Sequence, residues 1–595
     1  MKSRSNASST LGIPDGWPVV TLSVARALLT APGAPFEMEE TTVVGRPTRV
    51  WKHTPRTLAT LAEQARGHGD QLFSVYQDER VSYDAHFRAV AALARWLVDE
   101  GVTRGDRVAL AMRNLPEWPV VFFAVTTVGA IAVPLNAWWS GTELLHGLAD
   151  SGSSWLFCDE ERGHRVASAG PRPHGLRRMV MCRMNGAAPA GAARLEDIIG
   201  RPQDYSILQP CSARAAAIEP DDDAAIFYTS GTTGRPKGAT ASHRNILTHI
   251  HSSGYAAARN ILRRGCALGT SPPSRRLLTV PLFHVTGCLS MISGMPAGST
   301  IVLMHKWDPV EAMKIIERER ISVTGGVPTI VWQLLDHPAR ADFDLSSLES
   351  IAYGGAPASC DMVRRIRLEL KAMPSTGWGM TETLSTVTSL GAEDYLLRPE
   401  SCGLPVPVAD LKIMNLDGVQ QVPIGEAGEL WARGPMVGHR YWNRPEESAA
   451  SFVDGWVRTG DIAKLDEAGF CTLVDRAKDV IIRGGENIYC CEVENVIHDH
   501  PAVGDVALLG VPHRTLGEQP AALVHLRAGM SVSEAELQSW VRERLAAFKV
   551  PVRILFATRP LVRNAGGKLL KTELRALFSE SLDATYSAPL RPHRR

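Results

Sequence analysis

Residues 85–101, AHFRAVAALARWLVDEG, place apolar side chains at helical spacing and close on Gly101. That pattern predicts an amphipathic helix with a glycine C-cap. The next apolar run, DRVALAM, is short and continuous, as in a buried strand. The same pairing recurs: IVLMH precedes the helical pattern DPVEAMKIIERER, and SIAYGGAP precedes CDMVRRIRLELK. Strand–helix alternation of this kind predicts an α/β fold with mostly parallel sheets, more than one of them, from Leu58 onward. One apolar stretch, residues 118–139, approaches the length of a membrane span. Pro119, Gly129 and Pro134 punctuate it, which fits a buried helix followed by a buried strand. NGAAPAGAAR and GTSPPSRR read as loops, and no fixed-period repeat runs through the chain.

The pattern changes near Asp475. Beyond it come a helix, the strands VGDVALLGVP and PAALVHL, a second helix SEAELQSWVRERLAAF and a final strand RILFA. This fits a small α+β domain of ~115 residues. The expected division is an irregular extension over residues 1–47, a large domain over 48–475 and a small domain over 476–595.

Composition sharpens this only in part. A chain of 595 residues with 45% hydrophobic and 21% charged content is globular, with more than one domain and a sizeable core. A net charge of +1 argues against a nucleic-acid binder and against an electrostatic membrane anchor. The ten cysteines show no CxxC spacing, and the adjacent Cys490 and Cys491 are badly placed for a disulfide. They read as reduced thiols of a cytoplasmic protein. The N-terminus carries Lys2 and Arg4 but no apolar segment of signal-peptide type. The expectation is a protein without a transmembrane segment that acts on small molecules. Peripheral membrane contact and a homodimer stay open.

The chemistry begins at IFYTSGTTGRPKGAT, residues 226–240, where hydroxyls, glycines and Lys237 follow a short apolar run. Backbone N–H and side-chain O–H groups in such a loop converge on anionic oxygens, and the lysine adds a mobile charge. It is not a Walker A loop, because Pro236 precedes and Gly238 follows Lys237. GWGMTE, residues 377–382, fails the dinucleotide fingerprint at its last position. GxSxG and HExxH are absent from the sequence. His249/His251 and His498/His500 are two apart, a spacing that sends them to different sides of a helix.

TSGTTGRPKG, GWGMTE, VRTGD, DRAKDVIIRGGENI and NAGGKLLK occur in the order and approximate spacing of the adenylate-forming superfamily, which the chain resembles over roughly residues 56–577. The likeness is strongest to fatty acyl-CoA synthetases. It implies a large domain of α/β sheets with a distorted barrel and a small mobile C-terminal domain. It also implies ATP, Mg²⁺ and CoA, with a carboxylic acid adenylated and then passed to a thiol. The loop Thr229, Ser230, Gly231, Thr232, Thr233, Gly234 and Lys237 would hold the β- and γ-phosphates. Thr381 would touch the α-phosphate, and Glu382, with Thr229, would hold Mg²⁺. Trp378 stands where the family stacks an aromatic on adenine, with Gly379 and Met380 beside it. Gly354, Gly355 and Ala356 would underlie the base, while Asp461 and Arg476 would take the ribose. Lys568 would reach the carboxylate and α-phosphate from the small domain. Lys478 falls at the hinge, and Gly484, Gly485 and Glu486 fall on the thioester-forming loop. Three departures stand out: Cys490 replaces a common proline, Asp475 replaces the glycine before the ribose-binding arginine, and Gly566 stands where the family often has serine.

For the acid, Phe283, His284, Gly325, Gly326 and Gly377 fall where the family lines its acyl pocket. PLFHVTG lacks the carboxylate that pairs a substrate ammonium in amino-acid-activating relatives. The expected substrate is therefore an uncharged, hydrophobic acid, medium-to-long aliphatic or bulky. No carrier domain follows the small domain, which favours free CoA over a carrier-protein thiol or an amine as acceptor.

Overall fold

A computed structural model of the chain describes residues 11–186, 188–189, 191–210, 217–229, 236–270, 272–355, 358–384, 386–484, 486–563, 569–571 and 573–578. The chain divides into two compact units. The larger combines Met1–Leu411 with Trp431–Arg458, and the smaller combines Lys412–Leu430 with Thr459–Arg595. The smaller unit thus begins well before Asp475, where the sequence pattern changes.

Two large sheets organise the first unit. The seven-stranded sheet runs in the order Gly238–Ser242, Asp223–Tyr228, Ile131–Pro134, Arg107–Ala111, Trp155–Asp159, Arg178–Cys182, Ala192–Arg194. It is parallel except for the first pair. Its neighbour has nine strands, with Met373–Thr376, Ser350–Tyr353, Val323–Gly326, Arg275–Leu278, Thr300–Leu303 and Leu72–Tyr76 as a parallel centre. Antiparallel strands close both its edges. The apolar stretch at 118–139 is the helix Glu117–Thr127, buried on every side, followed by the buried strand Ile131–Pro134. A helix apolar all round belongs inside a core. Among the described residues no helix is long and apolar enough to cross a membrane. Among the described residues the two-, seven- and nine-stranded sheets are open paths, each five-stranded sheet carries one strand off its path, and none closes into a barrel.

From residue 11 on, the N-terminal extension is built from regular elements rather than irregular. Thr21 caps a helix over Leu22–Thr30, and Met38–Val43 pairs antiparallel with Arg46–Trp51. The local pattern hid this because the first strand is largely exposed and the helix buries only Ala25 and Leu29. Tertiary contact supplies the order. Phe36 and Trp51 pack against His251 and Tyr255 of the helix His243–Arg263, and the Trp51 indole N–H donates to Ser252 Oγ at 3.0 Å.

In the second unit the sheet order is Glu486–Ile488, Ile481–Arg483, Gly517–Leu526, Val503–His513, with Ile554–Ala557 added parallel to Gly517–Leu526. The helices Cys490–His498 and Glu534–Arg542 cover it through Val493, Ile497, Leu537 and Val541. This is the α+β pattern read from the sequence.

Candidate functional site

Parallel strands deliver loops at their C-terminal ends, where open α/β sheets bind ligands. In the nine-stranded sheet, Val323–Gly326 ends on Gly325 and Gly326, and Gly354 and Gly355 follow Ser350–Tyr353. Gly377, Trp378, Gly379 and Met380 follow Met373–Thr376 and lead into the turn Thr381–Thr383. Phe283 and His284 come shortly after Arg275–Leu278. Residues scattered over a hundred positions therefore share one end of one sheet.

Gly325 has a packing reason of its own. A Cβ there would collide with the carbonyl oxygen of Ala352 on the neighbouring strand. Close strand approach, rather than room for an acyl chain, accounts for that glycine. Phe283 is buried, with its ring 4.6 Å from His284 and 6.1 Å from the exposed Trp138. Trp378 is only 5% exposed, so most of its surface is already packed. Its backbone N–H donates to Thr388 Oγ1 at 3.0 Å.

The glycine- and hydroxyl-rich loop joins the antiparallel strands Asp223–Tyr228 and Gly238–Ser242. Its two ends are tied together, since Thr229 N–H donates to the Lys237 carbonyl at 2.8 Å. Ser230, Gly231, Thr232, Thr233 and Gly234 lie outside the described residues, as do Ala356, Gly485, Gly566 and Lys568. The Lys237 ammonium stands 5.2 Å from the centre of the Tyr441 ring, and the Tyr441 hydroxyl donates to Glu382 Oε1 at 2.6 Å. Glu382 is buried. Burial first, then the Glu382 charge, pushes the Tyr441 phenol well above its ordinary range, so it stays a donor. Sequence reasoning missed Tyr441, because nothing in HRYWN announces a partner 59 residues away.

His249 was also missed as a support. Its Nδ1 accepts from Thr386 N–H at 3.3 Å, and burial lowers its pKa to about 4, so the ring is neutral. His251, two residues on, turns to the Pro35 carbonyl instead.

In the second unit, Asp461 and Arg476 sit directly opposite on paired strands, with Nε 3.2 Å from Oδ1. Asp461 is buried. Lys478 is exposed in the turn that follows, where Asp479 N–H donates back to the Arg476 carbonyl at 2.9 Å. Gly484 opens the tight turn between Ile481–Arg483 and Glu486–Ile488, and Glu486 pairs with Arg483. The adjoining Asp475 is buried and accepts from Arg476 N–H at 2.7 Å and from Cys490 N–H. Burial, opposed by Lys571 and these donors, raises its pKa to about 6.

Among the described residues no group of three or more His, Cys, Asp or Glu gathers around a metal-sized space. A Mg²⁺ ion that arrives on phosphates and keeps its waters needs only one or two carboxylate oxygens, and Glu382 suits that role.

Comparison with known proteins places this geometry. Residues 61–442 match the AMP-binding enzyme family, and residues 492–568 match the AMP-binding enzyme C-terminal domain. The chain belongs to the AMP-binding enzyme family, among its ATP-dependent acyl-CoA ligases, which are acid–thiol ligases. It is 36% identical over 499 residues to a feruloyl-CoA synthase of an Amycolatopsis species, covering 84% of this chain and 94% of that one. It is 33% identical over 508 residues to a long-chain-fatty-acid–CoA ligase of Mycobacterium tuberculosis, covering 85% and 94%. The solved structure of o-succinylbenzoate CoA synthetase from Bacillus subtilis, in complex with its acyl-adenylate intermediate, superposes with a TM-score of 0.72. That protein is 30% identical, and the match covers 87% of this chain and 98% of it.

Proposed function

We propose that the chain activates an uncharged hydrophobic carboxylic acid as its acyl-adenylate and transfers the acyl group to CoA. The observation that carries the substrate class is the lining at the strand ends, where Phe283 packs against Trp138 and no carboxylate stands in PLFHVTG. An ammonium placed there would be desolvated without a partner, at a cost well above the ~2–7 kcal/mol of an uncharged polar group. Relatives with fatty and with aromatic acids in their names are about equally similar, which keeps both within the proposed class.

In the first half-reaction the carboxylate oxygen attacks the α-phosphorus and pyrophosphate leaves. Like charges meet, so the site must neutralise as well as position them. Lys237 and the loop beginning at Thr229 take the β- and γ-phosphates, and Thr381 takes the α-phosphate. The small exposed part of Trp378 borders adenine, and Asp461 with Arg476 takes the ribose. Lys568 meets the carboxylate. Glu382, with Thr229, would hold Mg²⁺, which supplies charge neutralisation on the phosphates when bound. In the second half-reaction the CoA sulfur attacks the acyl carbonyl, its proton goes to solvent, and AMP leaves. Gly484, Gly485 and Glu486 border the thiol's path, and the turn at Lys478 is the hinge between the two poses.

The test is hydroxylamine trapping of acyl-adenylates across alkanoic, aryl-propenoic and α-amino acids, repeated with CoA and mass spectrometry of the products. Hydrophobic acids should exceed every α-amino acid by at least about a hundredfold in kcat/KM. Efficient activation of a free amino acid, or absence of thioester with CoA, would refute this reading.

A further inference from the structure

We propose that Tyr441 is a positioning residue for adenylation, its hydroxyl orienting the Glu382 carboxylate and its ring placing the Lys237 ammonium. One side chain thereby sets the metal-binding acid and the phosphate-binding base in a common register. The inference rests on the roles proposed above for Glu382 and Lys237.

The register comes from the backbone. Lys237 immediately precedes the strand Gly238–Ser242, and the chain around Tyr441 pairs with that same strand. Ala239 and Tyr441 form an antiparallel bridge, and Trp442 N–H donates to the Gly238 carbonyl at 2.7 Å. Thr240 N–H donates in turn to the Arg440 carbonyl at 3.1 Å. Glu382 is tied to the same segment from its other side, because Gly438 N–H donates to the Glu382 carbonyl at 2.8 Å. Only glycine allows that approach: a Cβ on residue 438 would lie 2.7 Å from the Thr240 carbonyl oxygen and 3.3 Å from that of Glu382. Acid and base are 145 residues apart in sequence, yet both are measured off one strand through one tyrosine.

Tyr441 itself has little freedom. It is 7% exposed, its N–H donates to Ser448 Oγ at 2.9 Å, and Phe452 packs on the ring at 5.5 Å. The hydroxyl binds Oε1, and a hard cation that keeps most of its waters needs one carboxylate oxygen. Hydrogen-bonding partners behind a metal-binding carboxylate hold it at the angle the cation requires. The aromatic face meanwhile holds the lysine cation beside the loop while leaving it mobile enough to meet phosphate.

The experiment uses the full chain and three variants: Tyr441→Phe, Tyr441→Leu and Glu382→Gln. ATP binding is measured by calorimetry with chelator and with saturating Mg²⁺, and pyrophosphate exchange is followed as Mg²⁺ is raised. Tyr441→Phe keeps the ring and loses the hydroxyl. It should hold metal-free ATP affinity within about twofold while its apparent Mg²⁺ affinity falls by about ten- to a hundredfold. Its exchange rate should recover at high Mg²⁺, which a packing defect would not do. Tyr441→Leu should weaken metal-free ATP binding as well, because Lys237 loses its platform. If that variant does not fold, the phenylalanine variant carries the test alone. Wild-type Mg²⁺ dependence in Tyr441→Phe, alongside a loss in Glu382→Gln, overturns the inference and leaves the proposed function standing. Wild-type Mg²⁺ dependence in Glu382→Gln overturns the metal assignment itself.

Discussion

Glu382 in the larger unit and Asp461 in the smaller are both buried acids close to a glycine-containing turn, and their surroundings treat them in opposite ways. Glu382 accepts from a phenol, a donor that brings no charge. Asp461 faces the guanidinium of Arg476. A neutral partner orients a carboxylate without opposing its attraction for a cation. A guanidinium spends part of that attraction and leaves lone pairs suited to neutral hydroxyls. The residue type is nearly the same, and on the roles proposed above a neutral donor suits a metal-binding acid while a cationic neighbour suits a ribose-binding one.

The largest expected effect breaks the smaller unit's half of this contrast. Asp461→Ala removes a buried acceptor and strands Arg476, a loss of ~2–4 kcal/mol in ATP binding. The KM for ATP should rise by about thirtyfold to several hundredfold, with the apparent Mg²⁺ affinity unmoved. Steady-state kinetics over an ATP–Mg²⁺ grid checks both. An ATP KM within twofold of wild type would make Asp461 a turn residue.

A second experiment sharpens the contrast with a third acid, held by neither phenol nor guanidinium. Asp475 takes backbone N–H groups, and Lys571 and Glu494 flank it. Its pKa in the folded chain is about 6, above the ordinary carboxylate value. The folded state therefore prefers the protonated form. The stability this group contributes is fully present below about pH 4 and is lost as pH rises through 6. Asp475→Asn does not titrate, so its stability relative to wild type should improve by about 2–3 kcal/mol between pH 4 and 7. Denaturant unfolding at a series of pH values measures this. A constant difference would group Asp475 with the exposed acids.

How much was legible before the structure follows the range of each interaction. Strand and helix alternation, the buried helix at Glu117–Thr127 and the α+β pattern after Asp475 are written in side-chain periodicity within a dozen residues. Glu382, Lys237, Asp461 and Arg476 were singled out through the likeness of several ordered motifs to one family, since each short run alone also fits a helix cap or an ordinary turn. Tyr441 was invisible, since its meaning comes from pairing with Gly238–Ser242, two hundred residues earlier. The N-terminal hairpin was hidden for a related reason: its order comes from Trp51 and Phe36 meeting His251 and Tyr255. Gly325 misled in another way. A small residue in sequence suggests open space, and here the neighbouring strand fills it.

The smallest effect tests whether two of the departures from the family pattern, Asp475 and Cys490, belong together. Cys490 is the first residue of the helix Cys490–His498, a position where proline is favourable because no helical N–H bond is lost. Restoring proline there should gain ~0.4–1 kcal/mol by restricting the unfolded chain. In this protein, however, the Cys490 N–H is not spare: it donates to the buried Asp475 carboxylate. The Cys490 Sγ also meets the Asp479 carbonyl at 3.0 Å. Withdrawing a donor from a buried charged acceptor costs about 1–3 kcal/mol, which exceeds the proline gain. Cys490→Pro should therefore destabilise the chain by about 1–2 kcal/mol at pH 7, where Asp475 is ionised. Below pH 5, where the carboxyl is protonated and accepts less strongly, the loss should shrink toward zero. The Asp475→Asn background should shrink it in the same way at pH 7, and a double-mutant cycle reads that coupling directly. If Cys490→Pro costs the same at both pH values and in both backgrounds, the two departures are independent. The Cys490 N–H would then do nothing to hold down the pKa that burial raises at Asp475.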